Sequence, residues 1–164
     1  MTQAYTAPPG TRIGHVHLKV ADLERSIAFY RDVIGLEVTQ RYGAQAAFLS
    51  AGGYHHHLGL NTWESLGGPR PPRNAVGLYH TAFLYPDRTA LARAFRRVIE
   101  AGVEIEGAAD HGVSEAIYFS DPDGNGIELY RDRAEADWPR DAKGQLQMVN
   151  ARLDLDGLLA LAAT

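Results

Sequence analysis

Cysteine is absent from the 164-residue chain, which removes disulfides, thiolate catalysis and cysteine-ligated zinc from consideration. Histidine and carboxylate remain as the metal ligands on offer. No stretch approaches the roughly 20 apolar residues of a membrane span. The opening MTQAYTAPPG has no basic segment followed by an apolar one, so no secretory leader is expected and a cytoplasmic protein is. Basic residues (16) are fewer than acidic ones (20) and interspersed with them, for a net charge of −4. No basic face advertises nucleic acid or anionic lipid, and a small-molecule partner is the default.

What is present is the composition of a globular protein, 45% hydrophobic and 22% charged. A chain of this length suffices for one domain with a genuine core. It also repeats itself. An offset of 65 residues lays His15 on His80, Asp22 on Asp87, Arg31 on Arg96, Val33 on Val98 and Ile34 on Ile99. In each half a short apolar strand (RIGHVHLKV, GLYHTAFLY) precedes a helix. DLERSIAFYRDVI has Asp22 as N-cap and Gly35 as its end; DRTALARAFRRVIEAG has Asp87 and Gly102 in those roles. Three short strands then follow: LEVTQRY, AAFLS and HHHLGLN in the first half, VEIEG, EAIYFSD and GIELYRD in the second. The expected fold is α+β, two tandem βαβββ modules in one domain over residues 12–138. Module one spans 12–63, a Gly/Pro-rich linker 64–76, and module two 77–138, with an extension of residues 1–11 before it and another of 139–164 after it, the latter ending in a short helix around DLDGLLALAA.

His15 and His80 hold the same place in the two repeats, and Glu128 lies on the last strand after the turn DPDGNG. Two imidazoles and one carboxylate form the facial set that suits non-haem Fe(II) with open coordination positions. Glu128 lies between Ile127 and Leu129, where an unpaired carboxylate is costly and metal binding compensates it; the alternative is an exposed acid paired with Arg131 or Arg133. Overlaying FLS (48–50) on YFS (118–120) pairs Glu128 with Leu58, which has no donor, so three protein ligands are expected. If Leu58 faces the site, alternation brings His56 with it and turns His55 and His57 away. His17 is expected to be structural, on the face opposite His15. Trp63 and Phe83 are candidates for lining an aromatic pocket, with ordinary core packing as the alternative for each.

The segments HVHLKVADLERSIAFYRDVIGLEV, GLYHTAF and DPDGNGIELY resemble the vicinal oxygen chelate superfamily, which includes glyoxalase I, bleomycin- and fosfomycin-resistance proteins and extradiol catechol dioxygenases. The resemblance covers about Arg12 to Trp138. It implies a metal site in a sheet cleft. The two-histidine, one-glutamate set resembles the dioxygenases, whereas glyoxalase I carries a fourth ligand where this chain has Leu58 or, with a one-residue slip, Gly59. The same resemblance implies catalytic roles for His56 as acid and base, for Tyr118, ten residues before Glu128, as a hydrogen-bond donor to substrate, and for His111, in a His-Gly pair, as a substrate-holding residue. It implies Fe(II), with Mn(II), Zn or Ni as alternatives, dioxygen as cosubstrate, a small aromatic diol as substrate, and a homodimer. The alternatives on the same scaffold are a glyoxalase-like isomerase or lyase and a non-catalytic protein that sequesters an aromatic ligand.

Overall fold

The computed structural model describes residues 4–162. Module one consists of β1 (Val16–Lys19), α1 (Leu23–Phe29), β2 (Glu37–Tyr42), β3 (Ala46–Ser50) and β4 (Leu58–Asn61). Module two consists of β5 (Thr81–Leu84), α2 (Arg88–Glu100), β6 (Gly107–Asp110), β7 (Ser114–Ser120) and β8 (Gly126–Asp132). A short helical turn at Glu135–Asp137 and α3 (Leu155–Leu161) follow. The expected α+β plan of two βαβββ units is what the chain forms.

The repeat is visible in the caps. Asp22 accepts a hydrogen bond from the amide of Arg25, and Asp87 accepts one from that of Ala90, each satisfying a free donor at the start of its helix. Beyond Phe29 the first helix widens into a π-helical turn over Tyr30–Ile34, then ends at Gly35 in the left-handed region, φ +88°. The apolar alternation of VEIEG does not become a strand. Val103 and Ile105 pack against the core from an extended connection, and the ladder starts only at Gly107.

Two four-stranded sheets result, ordered β1-β4-β3-β2 and β5-β8-β7-β6, so β1 and β5 are edge strands. Each edge strand runs parallel to the last strand of its own module. One face of each sheet is apolar: Leu18, Leu49, Leu58 and Leu60 in the first, Ile117, Phe119, Ile127 and Leu129 in the second. Both faces join Ile27, Tyr30, Val33, Leu91, Phe95 and Val98 of the helical layer in a single core. At about 1.5–3 kcal/mol for each large side chain removed from water, this core holds the modules together, and Leu153 and Leu158 of the C-terminal extension are part of it.

A polar clasp reinforces the junction. The Tyr30 hydroxyl, fully buried, donates to Asp121 Oδ2 at 2.9 Å. Asp123 accepts from the amide of Ala21 at 3.2 Å, from Ser26 Oγ at 3.4 Å and from the Arg25 guanidinium. Both carboxylates belong to DPDGNG, which therefore pins β8 to the start of α1 as well as turning the chain.

Candidate active site

Strand register decides which residues of the two modules correspond. His17 lies opposite Gly59 on β1 and β4, and Phe48 lies opposite Gly59 on β3 and β4. In module two Ala82 lies opposite Glu128, and Tyr118 lies opposite Glu128. Glu128 therefore corresponds to Gly59, and Leu58 corresponds to Ile127. This corrects the expectation that Leu58 faces the site: it is fully buried on the core face. The correction leaves a position with no donor, since glycine offers none.

The expectation that His17 points away from His15 also fails, because residues two apart on a strand share a face. The His17 ring lies over Gly59, close enough that a Cβ there would meet it at 2.8 Å, and contacts Phe48 and Trp63 at 5.9 and 5.8 Å between centroids. His56 reaches the same face by another route. It precedes β4, in the loop, and packs against His15 at 4.4 Å and Phe48 at 5.0 Å. Its neighbours differ. His55 contacts His56, Nδ1 to Nδ1, at 2.8 Å, whereas His57 Nδ1 accepts from the Ala51 amide at 3.3 Å and lies 3.1 Å from Ser50 Oγ. Partial burial and the surrounding imidazoles lower the pKa of His56 from its ordinary value, favouring the neutral base.

The second module holds a tighter set. His80 Nε2 stands 2.9 Å from Glu128 Oε2. The Tyr118 hydroxyl lies 3.1 Å from Glu128 Oε1 and 2.8 Å from His111 Nε2. His111 Nδ1 faces the Val149 carbonyl at 3.1 Å. A carbonyl only accepts, so that nitrogen carries a proton and the C-terminal extension sets the imidazole's orientation. Burial, and then the neighbouring Glu128 charge, pushes the Tyr118 phenol up to about 12, keeping it a hydrogen-bond donor.

The arginines that might have neutralised Glu128 are engaged elsewhere. Arg88, Arg131 and Arg133 converge on buried Glu115, at 3.0, 2.9 and 3.3 Å, and Arg133 also reaches Asp110 at 2.6 Å. Glu115 and its arginine cluster, like the Asp121 and Asp123 clasp, were not singled out by sequence reasoning. No local motif marks them.

A six-coordinate cation with bonds of about 2.1 Å places adjacent donors about 3 Å apart, so His80 Nε2 and Glu128 Oε2 are spaced as two ligands of one ion. His80 Nδ1 is buried without a hydrogen-bond partner among the described residues. The third candidate, His15, is not with them. Among the described residues no three histidine or carboxylate groups are gathered closely enough to hold a metal, so the fit within one chain is to a pair of donors. The candidate residues thus form two separate groups, His15 with His56 and Phe48 beside the first sheet, and His80 with Glu128, Tyr118 and His111 beside the second. Trp63 joins the first group through His17, while Phe83 packs against the core.

The model of the glyoxalase/bleomycin resistance protein/dioxygenase superfamily matches residues 12–129. The chain belongs to this superfamily. It is 46% identical over 149 residues to a catechol-2,3-dioxygenase of Bacillus subtilis, covering 91% of this chain and 51% of that protein. It is 32% identical over 142 residues to a manganese-dependent 2,3-dihydroxybiphenyl 1,2-dioxygenase of Geobacillus genomosp. 3, covering 83% of this chain and 41% of that one. The chain therefore spans about half the length of these curated relatives. Among solved structures it is similar to a lactoylglutathione lyase of Agrobacterium tumefaciens, at 27% identity and a TM-score of 0.58, covering 76% of this chain and 96% of that one. Among the described residues no helix is long and apolar enough to cross a membrane.

Proposed function

We propose that this superfamily member is a metal-dependent extradiol dioxygenase that opens the ring of a small catechol-type diol with dioxygen. The single observation that carries the reading is the His80, Glu128 and Tyr118 constellation: a metal-spaced donor pair beside a phenol held protonated. The similarity to two ring-cleaving dioxygenases supports the same chemistry. His80 and Glu128 would hold the cation, the donor pair that the fold brings together. We assign Fe(II), with Mn(II) as the alternative that the manganese-dependent relative favours, and Zn or Ni as less suited to dioxygen. When bound, the cation acidifies the diol and brings it together with dioxygen at one centre.

The chain's own residues supply the rest. Tyr118 donates its hydrogen bond to a substrate oxygen, and His111, anchored on the Val149 carbonyl, keeps the phenol in place. His56, biased towards its neutral form, accepts a proton at its free ring nitrogen from the diol and returns it as the ring opens. Phe48 and Trp63 give the substrate ring an apolar wall. The glyoxalase-like reading is weaker, because the ladder position of Glu128 in module one is occupied by Gly59.

Oxygen uptake by the Fe(II)-loaded protein, measured across a panel of substituted catechols, tests the reading. One dioxygen consumed per catechol, with a yellow ring-opened product, is expected. No uptake across the panel overturns the assignment.

A further inference from the structure

The connection between β3 and β4, residues 51–57, is held in one shape by its own backbone. Thr39, the residue that β2 inserts between its pairs with β3, donates its hydroxyl to the His55 carbonyl at 2.9 Å. The His57 amide donates to the Leu49 carbonyl at 2.9 Å, and the His57 carbonyl accepts from the Val16 amide at 3.0 Å. His57 Nδ1 is taken by the Ala51 amide. The other two imidazoles of the triple meet each other, Nδ1 to Nδ1, at 2.8 Å. Tyr54 packs on the His55 ring at 4.0 Å between centroids, and His15 and Phe48 pack on the His56 ring at 4.4 and 5.0 Å. Both rings are braced from the side, with His55 exposed and His56 half-buried.

Two neutral imidazoles that face each other through Nδ1 share one proton; a cation between them takes both lone pairs instead. Bonds from imidazole nitrogen to a first-row dication are about 2.0–2.1 Å, which sets neighbouring nitrogens about 2.9 Å apart at a right angle and about 3.3 Å apart at a tetrahedral one. The 2.8 Å spacing fits the right angle that Cu(II) and Ni(II) prefer, not the tetrahedron of Zn(II). Cu(II) also heads the affinity order of these ions, whereas Mn(II) and Fe(II), the ions assigned to His80 and Glu128, stand at its foot.

We propose that His55 and His56 form a second metal site, for a tetragonal late dication of the Cu(II) or Ni(II) kind, and that an ion bound there shuts off turnover. The site has two protein donors: among the described residues no third histidine or carboxylate is gathered with them, and water takes the other positions. The shut-off rests on the reading of His56 as proton acceptor. With Nδ1 on the cation the ring proton is fixed at Nε2, and the imidazole has no lone pair left to take a proton from the diol.

The test uses untagged protein and two probes. Cu(II), followed by electron paramagnetic resonance, is titrated into the Glu128→Ala chain, in which the module-two pair no longer competes; Glu128→Gln serves if that chain does not fold. One Cu(II) per chain, coupled to two imidazole nitrogens, is expected, and none when His55→Ala is added. His55→Phe, which keeps a ring against Tyr54, serves if His55→Ala does not fold. No bound Cu(II), or binding that survives the loss of His55, overturns the site. Ni(II), which does not oxidise catechols, is then added to the Fe(II)-loaded wild type at the concentration that fills the pair. Oxygen uptake is expected to fall by about 10²-fold or more, the range of a lost proton-transfer group, with iron content unchanged. The His55→Ala chain is expected to keep its own Ni(II)-free rate. Equal inhibition of both chains, or none with the pair filled, overturns the shut-off. A wild type that consumes no oxygen with any catechol overturns the dioxygenase reading, and the Cu(II) titration still decides the site.

Discussion

Glu128 and Gly59 occupy the same ladder position in the two sheets, each opposite an aromatic residue on the neighbouring strand, Tyr118 and Phe48 respectively. The duplication thus yields unequal halves. Module two presents an anionic donor with a phenol to orient it, whereas module one presents bare backbone under the His17 ring. The anionic ligand is therefore supplied by module two alone.

The close approach at Gly126 predicts the most position-sensitive substitution near the site. A Cβ there would lie 2.1 Å from the Tyr79 carbonyl oxygen, on backbone that cannot swing aside. Gly126→Ala is expected to cost about 3 kcal/mol by overpacking and to weaken metal binding by displacing His80. Gly59→Ala meets only the exposed His17 ring and is expected to cost about 1 kcal/mol. Urea denaturation of both variants measures the difference.

Tyr118→Phe removes the hydroxyl between Glu128 and His111 and leaves the fold intact. The turnover rate is expected to fall about 10- to 100-fold, the usual effect of losing a group that orients a metal ligand. Steady-state kinetics on metal-saturated protein checks it; an unchanged rate would remove Tyr118 from the reaction.

His56 and His57 separate function from structure although they are adjacent. His56→Gln is expected to lower turnover by about 10²- to 10⁴-fold, the range of a lost proton-transfer group, with metal binding retained. His57→Ala instead deletes the acceptor for the Ala51 amide, and is expected to lower stability by about 1 kcal/mol. Parallel kinetics and thermal melts of the two variants decide the assignment.

Stability is expected to fall under alkaline conditions. Burial, reinforced by the Asp121 charge, holds the Tyr30 phenol well above its ordinary value of 10, and burial pushes Tyr85 up to about 12. Native protein thus keeps protons that the unfolded chain releases above pH 10. The stabilisation is complete below pH 10 and is lost as pH climbs through 12 and beyond. Tyr30→Phe is expected to flatten this loss while costing about 1–3 kcal/mol at neutral pH through the broken bond to Asp121. Urea titrations across the alkaline range measure both effects.

Much of the fold was legible because both signals are local. Helix caps at Asp22 and Asp87 and the 65-residue repeat are properties of short stretches, and they gave the modules and the helix starts. Glu128 could be placed on its strand for the same reason, whereas His15 and His80 each lie one residue before the strand expected to carry them, β1 and β5. What escaped depends on partners distant in sequence. The Glu128 equivalent was set one residue off, at Leu58, because the connection from Phe48 to Gly59 is one residue longer than that from Tyr118 to Glu128, so the offset that lays FLS on YFS does not carry past the loop holding His55 to His57. Val103 and Ile105 imitate a strand because they alternate against the core, although the β6 ladder begins only at Gly107. The Asp121 and Asp123 clasp uses residues common in any tight turn, so composition could not separate a turn from an intermodule anchor. The separation of His15 from His80 lies beyond sequence pattern altogether, since the repeat gives both histidines equivalent positions, just before β1 and β5, and says nothing of how the sheets face.

Ring cleavage in an atmosphere of heavy-isotope dioxygen probes the proposed chemistry most directly. With the Fe(II)-loaded protein and catechol, the ring-opened product is expected to carry both oxygen atoms from the gas, and Glu128→Ala to yield none. A catechol consumed without heavy oxygen entering the product, or product formation that survives Glu128→Ala unchanged, would contradict a dioxygenase built on His80 and Glu128.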